Sequence, residues 1–321
     1  MLHRVLNEKD TLEVARRLKA NNPKVKVLAY LSAMEHNGAK WGEDPTNGQF
    51  NQNWAMTKRG DPLWQGRKHL TYNHKNLNFR EWWIRRALDM VSHDEIDGLF
   101  IDDIDKVNHY RLPNLKGHER AYLATASELR KRLPGEKILI GNALKARLGN
   151  DGNLGHLDYL DGAYVENWNQ SRNHEPTLDL MTAALKMKKI VVISSTSSKW
   201  NNRWGKGGNW KLDFPLAFFL LIVEPHAYFS CPVGTDEIMG NDIFDDSRFE
   251  TVMQKLGKPI GSYVKEGANE FSREFEHFTV KVVLRSRKGT LTFKDRRGAT
   301  KAGARSLNPN AAAFIPLFPQ H

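Results

Sequence analysis

Over the first 235 residues, short apolar runs alternate with longer amphipathic stretches, and the two periods separate strand from helix. Residues 8–20 (EKDTLEVARRLKA) place Leu12, Val14, Ala15 and Leu18 near one helical face, and Asn21-Asn22-Pro23 stops that helix. Residues 25–33 (VKVLAYLSA) leave no polar face, as expected of a strand covered on both sides. The same reading predicts helices over 78–91, 118–133, 176–187 and 214–223, the second ended by Pro134-Gly135. Strands are predicted over 98–104 (GLFIDDI), 137–142 (KILIGN), 162–167 (GAYVEN), 189–195 (KIVVISS) and 227–231 (AYFSC). With 70–73 as a further short strand, seven candidates precede residue 235.

Strand-helix alternation of this kind demands a parallel sheet, because parallel neighbours need a crossover that is usually a helix. The expected fold class is therefore α/β, a (β/α)8 TIM barrel. Its first strand is either shortened to residues 2–6 or lacking, since nothing else precedes the 8–20 helix. No strand is followed by a Gly-rich phosphate loop, which favours the barrel over a doubly wound sheet. After residue 235 the pattern changes. Residues 271–284 and 289–293 alternate as antiparallel β around Arg287-Lys288-Gly289 and are too short for a core of their own. The expected organisation is a barrel over 1–262 and a small β-rich, basic extension over 263–321, irregular from Asp295 to Phe314.

Composition narrows the class. In 321 residues with 40% hydrophobic and 26% charged, there is enough apolar material for a large core, and neither a disordered nor a collagen-like chain fits. No run approaches the ~18 apolar residues of a membrane span. The opening MLHRVLNEKD lacks the apolar stretch of a secretory signal, so export by that route is not expected unless the chain is processed. Cys231, the single cysteine, sits in an apolar run and reads as a core thiol. The net charge of +11 is concentrated between residues 279 and 305, where nine basic residues face only Asp295. That tail is either a solvated surface or an attraction for a polyanion such as an acidic glycan.

Chemistry is expected at strand C-termini, where parallel barrels carry their active sites. The run Leu99-Phe100-Ile101-Asp102-Asp103 turns abruptly from apolar to carboxylate, and alternation sends Asp102 and Asp103 to opposite sides. Two strands on, Tyr164-Val165-Glu166 delivers another carboxylate to the rim. Carboxyls from nearby strands facing one cleft are what glycoside hydrolysis uses, one as proton donor and one as nucleophile or charge stabiliser. The competing reading for a strand-end Asp is a cap on the following loop; Asp105 fits that role best. Loop tryptophans among Asn and Gly supply flat platforms for sugar rings: Trp41, Trp54 and Trp64 after the first strand, and Trp168, Trp200, Trp204 and Trp210 in later loops. Trp82 and Trp83 lie in a helix, and at least one is expected in the core. Tyr30, Asn73, His74 and Asn142 occupy rim positions from which each can bond a hydroxyl-rich ligand or a local backbone group. The substrate-binding candidates are thus Tyr30, Trp41, Asn73, Asn142, Trp168, Trp200 and Trp204. No metal is expected from the His spacing, and no cofactor, since P-loop, GxGxxG and GxSxG motifs are all missing from the sequence.

On these residues the chain resembles the glycoside-hydrolase-like TIM-barrel proteins of hypothetical glycosyl hydrolase family fifteen. The pieces NPKVKVLAYLSA, DGLFIDDID, LDGAYVENW and LGKPIGSYVKEGANEFSREF carry the resemblance. More distantly it is similar to the endo-α-1,4-polygalactosaminidases, whose fourth strand carries Gly, then an Asp-Asn pair and another Asp. That resemblance implies activity on a polysaccharide, a nucleophilic carboxylate at Asp102 with Asp103 in place of the family's Asn, and an acid at Glu166. The Asp103 substitution leaves the nucleophile open between two neighbours. Two other classes compete: a glycan-binding barrel without turnover, and a metal-dependent phosphoesterase on nucleic acid using Asp102, Asp103 and Asp105. A carbohydrate substrate, anionic glycans included, is the favoured partner over nucleic acid.

Overall fold

In a computed structural model the described residues are 8–36, 51–58, 61–62, 64–65, 69–108, 115–148, 151–166, 168, 173–194, 213–230 and 257–294. They fall into two units, Met1–Lys145 with Asn153–Ala163, and Ala146–Gly152 with Tyr164–His321.

The first unit opens with helix α1 (Glu8–Asn21) and strand β1 (Leu28–Ser32). Five short strands follow: β2 (Glu35–His36), β3 (Thr57–Lys58), β4 (Asp61–Pro62), β5 (Trp64–Gln65) and β6 (His69–Thr71). Then come α2 (Leu77–Val91), β7 (Gly98–Asp102), α3 (Leu115–Arg132), β8 (Ile138–Gly141) and the start of β9 (Gly162–Glu166). Helix α2 begins where the Asn76 side chain accepts the Phe79 N–H at 3.1 Å, the local bond that makes Asn a good N-cap. Strands β1, β7, β8 and β9 pair in parallel in that order, with Ser32 opposite Asp102 and Ile101 opposite Gly141. Trp82 and Trp83 are both buried in the layer formed by α2.

One expected barrel strand does not join this sheet. Within 70–73, β6 pairs antiparallel with β2 and β5 instead. Among the described residues between β2 and β6 there are short strands and the 3-10 turn Gln52–Trp54 but no α-helix, the element that usually makes a parallel crossover. Residues 2–6 lie outside the described residues, as does Cys231.

The second unit contains the end of β9, α4 (His174–Lys186), β10 (Ile190–Ser194), α5 (Asp213–Ile222) and β11 (Ala227–Ser230), with strand order β9-β10-β11. Among the described residues six strands thus belong to parallel α/β ladders. An antiparallel sheet follows: β12 (Pro259–Gly267), β13 (Glu270–Phe275), β14 (Phe278–Val283) and β15 (Lys288–Phe293). It starts at Pro259, so a boundary between 262 and 263 falls inside β12. Part of the basic stretch is neutralised here: Lys281 lies 2.9 Å from Glu266 and 3.0 Å from Glu270.

Gly98 opens β7 because a side chain there has no room: a Cβ would sit 1.9 Å from the Ile138 carbonyl oxygen on β8. Gly98→Ala is expected to lower the unfolding free energy by about 1–3 kcal/mol, the usual range for overpacking against a fixed neighbour. Gly135→Ala, with nothing within 4 Å of the added carbon, stays within about 0.5 kcal/mol of wild type. Urea denaturation of the two variants checks the contrast.

Candidate active site

Strands β1, β7 and β8 end level. The Ala33 N–H bonds the Asp102 carbonyl at 2.9 Å, and the Asn142 N–H bonds the Ile101 carbonyl at 2.8 Å, so the ladder continues to the tips. Parallel partners point to the same face, so Tyr30, Asp102 and Asn142 stand side by side. The Tyr30 hydroxyl donates to Asp102 Oδ2 at 3.0 Å, and Asn142 Nδ2 donates to Asp102 Oδ1 at 3.0 Å. The Asp103 N–H adds a third bond to Oδ1 at 2.8 Å. Asp102 itself is half-buried. Of the four expected rim residues, Tyr30 and Asn142 are brought together on the Asp102 carboxylate.

Asp103 is not a strand residue facing the other side. Strand β7 stops at Asp102, and Asp103 takes a left-handed backbone with φ 63°, which costs a non-glycine residue about 1 kcal/mol or more. The turn carries its side chain to the end of β1, where it is buried against Ser32. There Ser32 Oγ donates to Asp103 Oδ2 at 2.8 Å, and Lys106 Nζ lies 2.6 Å from Oδ1. The same ammonium donates to Glu35 Oε1 at 2.6 Å. Ser32 Oγ in turn accepts the Glu35 N–H at 2.9 Å, closing a loop of contacts between β1, β2 and the turn after β7. Burial, and after it the Asp102 carboxylate alongside, push the Asp103 carboxyl up to about 6 despite the ammonium. Burial alone lowers the Lys106 ammonium, but the Asp103 and Glu35 carboxylates more than reverse this and raise it.

His74 follows β6 and is fully enclosed. Its Nε2 donates to the Ala33 carbonyl at 2.7 Å, Nδ1 faces Thr125 Oγ1 at 3.2 Å, and its ring packs edge-on against Phe79 and Tyr122. Burial lowers it to about 3, so it braces the segment after β1 as a neutral ring. Asn73 is used locally: its Oδ1 accepts the Lys75 N–H at 3.1 Å. Trp54 packs against Phe79 and Trp82.

In the second unit, Glu166 is the last residue of β9 and half-buried. Trp168 is 2% exposed and stacks on Phe218 with centroids 4.0 Å apart and planes at 19°, flanked by His174 and Phe214. A ring closed in that way offers no face to a sugar. Trp41, Trp200 and Trp204 lie outside the described residues. Glu35, Lys106 and Ser32 are the members of the cluster that sequence reasoning passed over. The Asp103-Lys106 spacing, three residues apart in a tight turn, was the available signal. Among the described residues, no group of three or more His, Cys, Asp or Glu side chains is arranged to hold a metal ion. None of the described helices is long and apolar enough to cross a membrane.

The family model of hypothetical glycosyl hydrolase family 15 matches the chain over residues 19–279. Among curated proteins, none matches the chain. Among solved structures, it is similar to a maltogenic α-amylase, AmyB, from Thermotoga neapolitana at 12% identity and a TM-score of 0.54, over 90% of this chain and 71% of that one. An α-amylase from Malbranchea cinnamomea is similar at 12% identity and a TM-score of 0.51, over 96% of this chain and 77% of that one. The glycoside hydrolase domain of PelA from Pseudomonas aeruginosa aligns at 15% identity and a TM-score of 0.47, over 71% and 85%. Parallel α/β ladders with a following antiparallel sheet define the class: a barrel-type glycoside hydrolase fold. Within that class the chain belongs to hypothetical glycosyl hydrolase family 15 and is a glycoside hydrolase.

The raised Asp103 carboxyl makes a stability prediction. Between pH ~4, the ordinary carboxylate value, and about 6, the unfolded chain has lost this proton while the folded one keeps it. The folded state then binds more protons, so Asp103 lowers the unfolding free energy as pH rises through that window. Asp103→Asn cannot titrate. Its stability relative to wild type is expected to rise from pH 4 to pH 7, measured by urea denaturation at each pH.

Proposed function

We propose that this protein hydrolyses glycosidic bonds of an oligo- or polysaccharide by a two-carboxylate mechanism, with Asp102 as nucleophile or charge stabiliser and Glu166 as general acid/base. The observation that carries the reading is the Asp102 carboxylate, half-buried at the tip of β7 and oriented by Tyr30, Asn142 and the Asp103 N–H. Oδ1 takes two N–H donors and is the anchored oxygen. Oδ2 takes the Tyr30 hydroxyl and is the oxygen left to meet an anomeric carbon.

As the nucleophile, Asp102 Oδ2 bonds to the anomeric carbon while the glycosidic C–O bond breaks and the leaving oxygen takes a proton from Glu166. Water then gives its proton to Glu166 and its oxygen to the anomeric carbon, releasing Asp102. As the charge stabiliser, Asp102 faces the same oxocarbenium-like centre without bonding to it. Asp103, held by Ser32 and Lys106, supports Asp102 and does not compete with it for substrate in this reading. The aromatic contacts are assigned to Trp41, Trp200 and Trp204. Trp168 and Asn73 are left out because each is engaged within the protein.

The test is product analysis on a glycan panel that includes α-glucans, polygalactosamine and acidic polysaccharides. Asp102→Asn and Glu166→Gln are each expected to reduce cleavage by about 10²–10⁴-fold, the scale of a lost acid/base or nucleophilic group, with thermal unfolding within a few degrees of wild type. A variant that cleaves at the wild-type rate overturns the assignment of that residue. Oligosaccharide binding by the wild type with no product after long incubation overturns the hydrolytic reading in favour of a binding barrel.

A further inference from the structure

We propose that Lys106 is a positioning residue for Asp102, acting through Asp103: its ammonium holds the left-handed turn that aims the Asp103 N–H at Asp102 and keeps the Asp103 carboxylate tied to the end of β1 beside Ser32. The inference rests on the reading of Asp102 as a catalytic carboxylate and extends it to a residue that touches no substrate.

The geometry runs in one chain of contacts. Lys106 Nζ bridges Glu35 Oε1 and Asp103 Oδ1, each at 2.6 Å. Asp103 gives its carboxylate to Ser32 and Lys106 and its backbone N–H to Asp102 Oδ1, the last at 2.8 Å. One residue reaches both only because its backbone is left-handed, a conformation an L-residue keeps only when its surroundings over-determine it. Among the described residues, four polar side chains face Asp103, and its carbonyl accepts the Lys106 N–H at 3.0 Å. Asp102 faces Asp103 from β7, Ser32 from β1, Glu35 from β2, and Lys106 from the 3-10 turn Ile104–Asn108. Three of these four carry or compete for negative charge or donate a neutral hydrogen bond, and Lys106 is the one cation among them. Its removal leaves Asp103 buried between two carboxylates, Asp102 and Glu35, with only the Ser32 hydroxyl in support. A buried carboxyl in that position relieves the repulsion by taking a proton or by turning away. Either response changes the orientation of the N–H that Asp102 depends on. The spot is also packed from the next strand: Ile104, one residue after Asp103, fills the space left by Gly141, where a Cβ would lie 2.6 Å from Ile104 Cδ1.

The experiment compares Lys106→Met, which keeps the apolar stem and removes the charge, with Lys106→Arg and Glu35→Gln in the full chain. Two readouts are taken. The first is kcat and KM across pH on the best oligosaccharide of the panel. The second needs no substrate: carbon-13 NMR titration of the Asp103 carboxyl, with the Asp103 amide proton shift as the report on its bond to Asp102. Lys106→Met is expected to lose about 10–100-fold in kcat with KM within about twofold, as for a misplaced catalytic group. Its Asp103 midpoint moves to higher pH and its Asp103 amide proton shifts. Lys106→Arg restores most of the rate, and Glu35→Gln, which leaves the Lys106–Asp103 contact in place, has the smaller effect. A Lys106→Met protein with lower thermal stability but unchanged kcat, or with an unmoved Asp103 midpoint and amide shift, overturns the proposal. If the wild type cleaves nothing, the hydrolytic reading fails on its own, and the titration still decides whether Lys106 governs Asp103. If Lys106→Met does not fold, the same titration in Lys106→Gln, which also lacks the charge, decides it: an Asp103 midpoint and amide shift identical to wild type overturn the proposal.

Discussion

Parallel register is the constraint on which the strand tips depend. With Ser32 opposite Asp102 and Ile101 opposite Gly141, residues of even number on β1, β7 and the end of β8 share a face. A slip of one residue between β1 and β7 would turn Asp102 away from Tyr30 and offer Ile101 in its place, because the side-chain period along a strand is two. The register is held at the base by the close backbone approach of Gly98 to Ile138, and at the top by the Ala33 and Asn142 N–H groups. Only with both ends fixed can three donors from three places in the chain meet one carboxylate at about 3 Å.

Electrostatics then decides how neighbouring acids divide their roles. Asp102 and Asp103 are adjacent in sequence, and Glu35 is drawn to the same ammonium as Asp103. Two buried carboxylates without a counterion would be costly, whereas one lysine bridging them compensates both. The left-handed turn costs about 1 kcal/mol or more and brings the Asp103 carboxyl to that lysine, while Asp102 stays at the strand tip. His74 contributes to the same region differently. Enclosed by Phe79, Trp83 and Tyr122, it gives the Ala33 carbonyl a hydrogen bond without adding charge.

What could be read in the sequence follows from how local each signal is. The strand ends at Asp102 and Glu166 are visible because apolar runs stop there, and Tyr30 and Asn142 because they sit at the same height on neighbouring strands. Lys106 is one basic residue in IDDIDKVN, and its spacing of three from Asp103 equally fits a solvated surface pair; Glu35 follows a strand in a segment without period, so nothing local marks it as a partner of Lys106. Backbone handedness at Asp103 is invisible too: strand alternation assigns it the opposite face, and only the break at Asp102 reveals otherwise. Trp168 misleads for the converse reason. Its neighbours Glu166, Asn167, Asn169 and Gln170 read as an open loop, but the ring's partner is Phe218, far along the chain on α5. The short strand at 70–73 fails similarly, since its pairing with β2 depends on hairpins that carry no helical spacer.

Helix α5 explains why the antiparallel sheet is part of the second unit's packing. All ten residues from Phe214 to Val223 are buried, so the helix has no solvent face and needs cover on every side. Phe218 meets Trp168, Phe219 stacks on Phe229 of β11 at 5.4 Å, and β14 and β15 pack against the helix as well. A helix so buried must also satisfy its last carbonyls without water. Arg273 of β13 does this: it is 4% exposed, with Nη1 donating to the Leu221 and Val223 carbonyls at 3.0 and 2.9 Å and Nη2 to Glu224 at 2.9 Å. Its Nε donates to the Gly261 carbonyl on β12 at 2.9 Å, so one guanidinium ties two strands of the sheet to the end of the helix. Five planar donors suit that task, and a lysine could not reach the same set of acceptors. Without these strands α5 would expose an apolar flank and unpaired carbonyls together, so the helix and the sheet depend on one another for burial.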